Sequence, residues 1–314
     1  MVSLKKFILK LIVFVAPLLV LWGVYEYLLR AMPSAYTLKR NLLEKNSEDI
    51  HTLILGNSYA HYGLNPKYFA GNSINVAYSG QTIDYDYFIF KKYEKRFTNL
   101  KNIIIAIGDD SFFYSLDDGE GKWRKAEYVL NYNYPSSELA YHFRSFNANF
   151  NESTAALFNY VIGNYDPVRC SSTGWGNDYT SVKQQDLIKG AEYITRHSHI
   201  DINAKLSQNN FNEMTEKIKY IIRWGEKHNT AVLLITTPVS KPYRDRMDKK
   251  QVTATFRAAQ NLADNFSNAH YYNFFADKRF TNNDFYDSNH LSEIGAEKLS
   301  LIVDNLIGKA DNDK

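Results

Sequence analysis

Residues 53–66 read LILGNSYAHYGLNP, an aliphatic run that stops at Gly56 and puts Asn57 and Ser58 at its exit. With His51 and Thr52 the run reads as a short strand, 51–55, buried on both faces. Two similar runs follow, INVAY at 74–78 and NIIIAI at 102–107. Between them Ile83, Tyr87, Phe90 and Tyr93 recur at helical spacing. The alternation resumes with a helix over 211–228, a strand over 230–238, a helix over about 248–265 and a strand over 270–275. A terminal helix comes last, capped by Ser292 with Glu293 in its first turn. Such alternation predicts an α/β fold, a parallel sheet with helices on both faces. Residues 112–210 break the rhythm; rich in Tyr, Trp, Phe, Asn and Ser, they read as an insertion into one domain.

The stretch Leu11–Tyr25 carries no charge and follows Lys5, Lys6 and Lys10. Extended at both ends, it reaches the roughly 20 residues that a spanning helix needs. It reads as a membrane anchor over 1–30, with a cleaved secretory signal as the competing reading. Residues 31–50 are polar and suit a stalk or a first helix, leaving 51–314 as the main domain. Both readings of the N-terminus place that domain outside the cytoplasm. The expected location is the cytoplasmic (inner) membrane, crossed once, with the domain periplasmic or extracellular. A dispersed net charge of +3, with no basic run interleaved with stacking aromatics, argues against nucleic acid as a partner. The single cysteine, Cys170, cannot form an intramolecular disulfide.

In a parallel sheet, ligands bind outside the carboxyl ends of the strands, and Ser58 stands at such an end. A serine hydroxyl becomes a nucleophile only when a base takes its proton, and that base needs an orienting acid. FYDSNHLSEIG, 285–295, offers Asp287 and His290 three residues apart, after the last strand and before the terminal helix. A turn can bring both onto one side. Plainer readings stay open: Ser58 or Asn57 capping a helix from Tyr59, and a solvated loop around His290. His61 is a weaker base, since a histidine on the helix after the serine points along that helix. His197 and His199 lack the partners of a metal site, and no metal is expected. Asp117, Asp118 and Glu120 read as a solvated turn. Trp123 and Trp175 suit either stacking on sugar rings or packing on the sheet.

With both blocks in view, the chain resembles the SGNH/GDSL hydrolase superfamily, through GNS at 56–58 and DSNH at 287–290. The likeness covers about 51–110 and 211–307. More narrowly, the anchor, LILGNSYAHYGLNP and the later LLITTPVSKPYR resemble the envelope-modifying branch that includes D-alanyl-lipoteichoic acid biosynthesis and alginate O-acetylation proteins. The resemblance implies a three-layer, flavodoxin-like sheet, with Ser58 as nucleophile, His290 as general base and Asp287 as its orienting acid. It also implies an oxyanion hole that includes the amides of Ser58 and Gly80. Two positions depart from the pattern: Asn57 replaces the usual aspartate, and Asp110 stands where the family has an asparagine that donates to the oxyanion. An ionised carboxylate cannot donate, so Ser111 is the neighbouring hydroxyl for that task. The activity implied is cofactor-free acyl transfer to an envelope polysaccharide, from an acyl donor supplied through a membrane-bound O-acyltransferase. A carbohydrate esterase and a non-catalytic, polymer-binding assembly factor stay open beside it.

Overall fold

Five short runs pair into one parallel sheet in the computed structural model, which describes residues 4–197 and 199–312. The strands are β1 (Thr52–Leu55), β2 (Ser73–Asn75), β3 (Asn102–Ala106), β4 (Ala231–Thr236) and β5 (Ala269–Asn273). Their order is β2-β1-β3-β4-β5, with Leu55 beside Ile105 and Ile105 beside Leu234. This is the flavodoxin-like order, whose ligands gather where the strand order reverses around β1 and β3. The helices are α1 (Leu4–Ala31), α2 (Ala35–Asn46), α3 (Ser58–Gly63), α4 (Ile83–Tyr93), α5 (Lys125–Tyr132) and α6 (Phe150–Val161). After them come α7 (Leu187–His197), α8 (Lys205–Lys227), α9 (Lys241–Arg244), α10 (Lys249–Asp264) and α11 (Glu293–Asn312).

The chain divides into two units. One comprises Met1–Thr37 and Trp123–Val168, the other Leu38–Lys122 and Arg169–Lys314. The second unit holds the sheet. Ile54, Ile104, Leu233 and Ile235 face Ala60 and Leu64 around α3 and Leu299 and Val303 of α11. Alternate residues point the other way, and Leu53, Ile103, Ile105 and Leu234 are fully buried there as well. On that side α8 packs on β4 and against α4, with Phe90 and Trp224 edge to face at 5.1 Å. The α/β, three-layer expectation is therefore met.

Strand β2 is shorter than its apolar run. The Asn75 side chain accepts from the Ala77 amide at 3.0 Å and donates to the carbonyls of Ala60 and Leu64 at 2.8 Å, turning the chain out of the sheet. The Asn75 amide meanwhile donates to Thr173, so a later loop covers part of this edge strand.

The first unit is built around α1, which is long and apolar enough to cross a membrane. Near its end the Glu26 carboxylate accepts from the amides of Arg144 and Ser145, both at 2.9 Å. Residues 123–168, within the aromatic stretch that breaks the strand–helix rhythm, thus pack with the N-terminal helix.

Gly56 ends β1 with φ +122°, and a Cβ there would lie 2.8 Å from the Ala106 Cβ on the neighbouring strand. Both the dihedral and the contact exclude a larger residue. Gly56→Ala is expected to destabilise the fold by more than about 1 kcal/mol, measured as a lower urea midpoint of the detergent-solubilised protein. An unchanged midpoint would show that the turn relaxes freely.

Candidate active site

The turn after β1 decides which polar group does what. Asn57 takes the cap position, its Oδ1 accepting from the Tyr59 amide at 3.0 Å, and Ser58 becomes the first residue of α3. Ser58 therefore does not serve as the cap, and its hydroxyl is available to another partner. The turn is held from behind. Asp86 accepts from the Gly56 amide at 2.8 Å and from the Gln81 side chain at 2.6 Å. Gln81 also donates to the Gly56 carbonyl at 3.2 Å. Asp86 is buried, and burial pushes its carboxyl up to about 7.

Residues 284–292 form a loop that closes on itself. Phe285 and Leu291 pair antiparallel and bury their side chains in the core beside α11. Asp284 caps the turn before it and accepts from Lys298 at 2.7 Å. Within the loop, Asp287 Oδ1 accepts from the amides of Asn289 and His290 at 3.0 and 2.9 Å. Those bonds turn the carboxylate toward the imidazole, which is why the i, i+3 spacing works here.

Three side chains then line up. His290 Nδ1 is 2.9 Å from Asp287 Oδ2, and His290 Nε2 is 2.8 Å from Ser58 Oγ, joining residues 232 apart in sequence. With a carboxylate accepting at Nδ1–H, the lone pair of Nε2 faces the serine hydroxyl. Burial alone would raise Asp287; the imidazole charge, its hydrogen bond and the two loop amides together hold it below the ordinary carboxylate range.

A cavity of about 260 Å³ opens over Ser58, lined also by Gly80, Asp110, Ser111, Asn289 and His290. Gly80 has φ +73°, a turn that glycine adopts readily. The Ser111 hydroxyl accepts from the Gly108 amide at 2.8 Å, which holds it at the cavity wall. Asp109, next to Asp110, accepts from Gln251 at 3.1 Å. Burial, and for Asp109 also the Asp110 charge, pushes these carboxyls above their ordinary range.

The other candidates fall elsewhere. His61 turns away from Ser58: its Nδ1 lies 2.9 Å from the Nζ of Lys39, which also donates to the Ala77 carbonyl. Lys39 is fully buried, and burial pushes its ammonium down to about 7. Trp175 packs, donating to the Tyr62 carbonyl at 2.7 Å. Trp123 is half exposed beside Arg124 in the first unit. Asp117 and Asp118 lie on an exposed turn but are not merely solvated; they accept from Tyr85 and Asn210, each at 2.7 Å. His199 lies 3.5 Å from Asp248. Ser198 and the His197 side chain are outside the described residues, among which no cluster suits a metal ion.

The sequence reading missed the wall beside His290. Tyr62, Tyr179 and Tyr286 stack in series, with centroids 3.6 and 4.0 Å apart, and Tyr179 meets the imidazole edge-on at 5.4 Å. Tyr179 belongs to the stretch read as insertion. Its neighbours reach the histidine loop through Gln185 to the Tyr286 carbonyl and through Ser181 to Glu293. No local pattern marks such a contact.

A family model described as "Protein of unknown function (DUF1574)" matches residues 79–306, a range that includes Gly80, Asp287 and His290 but not Ser58. No curated protein matches the chain. Among solved structures, the chain is similar to a provisionally named platelet activating factor from Streptococcus pneumonia, with 13% identity, TM-score 0.45 and coverage of 94% of this chain and 99% of that one. It is also similar to a provisionally named acylhydrolase from Bacteroides fragilis, with 11% identity, TM-score 0.42 and coverage of 88% and 95%. A GDSL-like lipase from Bacteroides thetaiotaomicron shares 12% identity, TM-score 0.41 and coverage of 88% and 100%.

The raised Asp86 carboxyl makes a signed prediction. A carboxyl held higher in the folded state contributes stability below its unfolded value, near 3.8, and loses that contribution as pH rises toward about 7. Asp86→Asn keeps an acceptor oxygen and removes the titration. From pH 4 to pH 7 the urea midpoint of the parent protein should therefore fall relative to that of the variant, and parallel profiles would contradict the assignment.

Proposed function

The chain belongs to the family described as "Protein of unknown function (DUF1574)", and we propose, from the site itself, that it is a serine-dependent acyltransferase acting through an acyl-enzyme. One observation carries this reading: Ser58 Oγ, His290 Nε2 and Asp287 are hydrogen-bonded in series at the carboxyl rim of the sheet, on a cavity wall.

In the first half-reaction Ser58 Oγ attacks the acyl carbonyl of an ester donor while its proton passes to His290 Nε2. The C=O electrons move onto oxygen, giving a tetrahedral intermediate. When the bond to the leaving oxygen breaks, that oxygen takes the proton from Nε2 and the acyl group stays on Ser58. In the second half-reaction an acceptor hydroxyl gives its proton to Nε2 and attacks the acyl carbon, and the displaced Ser58 Oγ takes that proton back from Nε2. Asp287 keeps Nδ1–H bonded and stabilises the imidazolium formed in each half. The amides of Ser58 and Gly80 are the assigned oxyanion donors, with Ser111 beside them.

The acceptor we assign is a hydroxyl of an envelope polysaccharide. The small cavity suits a short acyl group such as acetyl. Helix α1 then acts as a single-pass anchor, with the site outside the cytoplasm, and a membrane-bound O-acyltransferase is the partner that the resemblance to envelope-modifying proteins implies. Hydrolysis uses the same three residues and differs only in water replacing the sugar, which makes a carbohydrate esterase the rival reading.

Ser58→Ala is expected to lower turnover of an acetyl ester by on the order of 10⁶-fold, and Asp287→Asn by about 10⁴-fold. Adding an oligosaccharide acceptor should divert the acyl group from free acid to sugar ester, measured by mass spectrometry. Free acid alone would identify an esterase. Wild-type polymer modification in Ser58→Ala would identify a non-catalytic assembly factor.

A further inference from the structure

Helix α6 has no buried residue, which is unusual for an amphipathic element. Its apolar residues Phe150, Leu157, Phe158 and Val161 share one side at 3.6-residue spacing, with Glu152 and Asn159 opposite. Phe150, Phe158 and Val161 are 67%, 63% and 71% exposed, and Phe146 just upstream is 59% exposed. A surface helix normally turns such a side into a core. Here Phe150 meets Tyr25 of α1, while Phe158 and Val161 stay exposed.

The helix that α6 rests on suggests what covers it. The Tyr25 hydroxyl of α1 lies 2.7 Å from Ser153 Oγ, and its ring meets Phe150 at 5.5 Å. One turn earlier, Trp22 stacks on Phe146 at 5.5 Å and donates to Ser145 Oγ at 3.0 Å. One residue beyond Tyr25, Glu26 pairs with Arg30 at 2.6 Å and caps the amides of residues 144 and 145. Trp22, Tyr25, Phe143, Phe146 and Phe150 thus collect at a single level of α1, at the end of its charge-free stretch and just before its first ion pair. Tryptophan and tyrosine concentrate at that level where a helix leaves a bilayer, and amphipathic helices with a phenylalanine-bearing side lie flat there.

We propose that α6, with the aromatic segment leading into it, lies in the headgroup–acyl boundary of the bilayer that α1 spans. Phe150, Phe158 and Val161 enter the lipid, and Glu152 and Asn159 face water. Lipid is the assigned occupant because the exposed side continues the uncharged, lipid-facing character of α1 within the same unit. This inference rests on reading α1 as a span, and the test separates the two.

Full-length protein carrying Cys170→Ala receives one cysteine at a time, by Phe158→Cys, Val161→Cys, Asn159→Cys or, in the first half of α1, Val13→Cys. Each is labelled with an environment-sensitive nitrobenzoxadiazole dye in nanodiscs of phosphatidylethanolamine and phosphatidylglycerol, with or without spin-labelled lipid. The dye at 158 and 161 should emit blue-shifted light and lose most of it to the spin label, while the dye at 159 keeps its emission. Quenching at 13 with water-like emission at 158 and 161 would overturn this inference and leave the anchor intact. Blue-shifted emission at 158 and 161 without quenching would mean a protein covers the face, and would also overturn it. Equal quenching at 159 would rule out the flat orientation. Absence of quenching at 13 would remove the span, and the inference with it.

Discussion

The chain of hydrogen bonds from Asp287 through His290 to Ser58 is what the rest of the second unit serves. Its members come from opposite ends of the domain, so it exists only if β1 and the loop before α11 finish at the same rim of one sheet. Two devices hold that geometry. The histidine loop is pinned by the Phe285–Leu291 pair and by two buried apolar anchors. The serine turn is pinned by a glycine that fits against Ala106 and by the Asp86–Gln81 network. Positioning of this kind is worth more to chemistry than any single contact, because displacement by an ångström weakens proton transfer steeply.

The turn is secured with polar groups that are costly to bury. Asp86, Asp109 and Lys39 are titratable, buried and placed around Ser58 and α3. A well-packed apolar core would be at least as stable, so their value lies in direction. Each fixes a backbone or side-chain group that an aliphatic residue would only cover: Asp86 the Gly56 amide, Lys39 the Ala77 carbonyl and the His61 ring. His61 is thereby committed to Lys39, which leaves His290 as the imidazole on the serine.

Much of this was legible in the sequence because the signals are local. Aliphatic runs bounded by glycine and asparagine gave the strands to within a few residues, and the hydrophobic spacing gave the helices between them. The GNS block lies at the end of β1 and the DSNH block in the loop before α11. What local pattern could not show depends on distant partners. β2 stops early because Asn75 bonds to α3 and to the chain just after it. Asn57, not Ser58, caps α3, and the Ser58 hydroxyl meets His290 from 232 positions away. Tyr179 reaches the site only because its loop bonds to the histidine turn and to Glu293. Residues 123–168 pack with α1 because their aromatics meet Trp22 and Tyr25, more than a hundred positions away in sequence.

A crystal structure of the protein after reaction with a small fluorophosphonate shows whether the imidazole from the loop before α11 activates the serine hydroxyl at the end of β1. The expected adduct carries a phosphonyl group on Ser58 Oγ, with its oxygen within hydrogen-bond range of the Ser58 and Gly80 amides and His290 still bonded to Asp287. Phosphonylation at another residue, or an unmodified Ser58 with His290 turned from it, would rule that activation out.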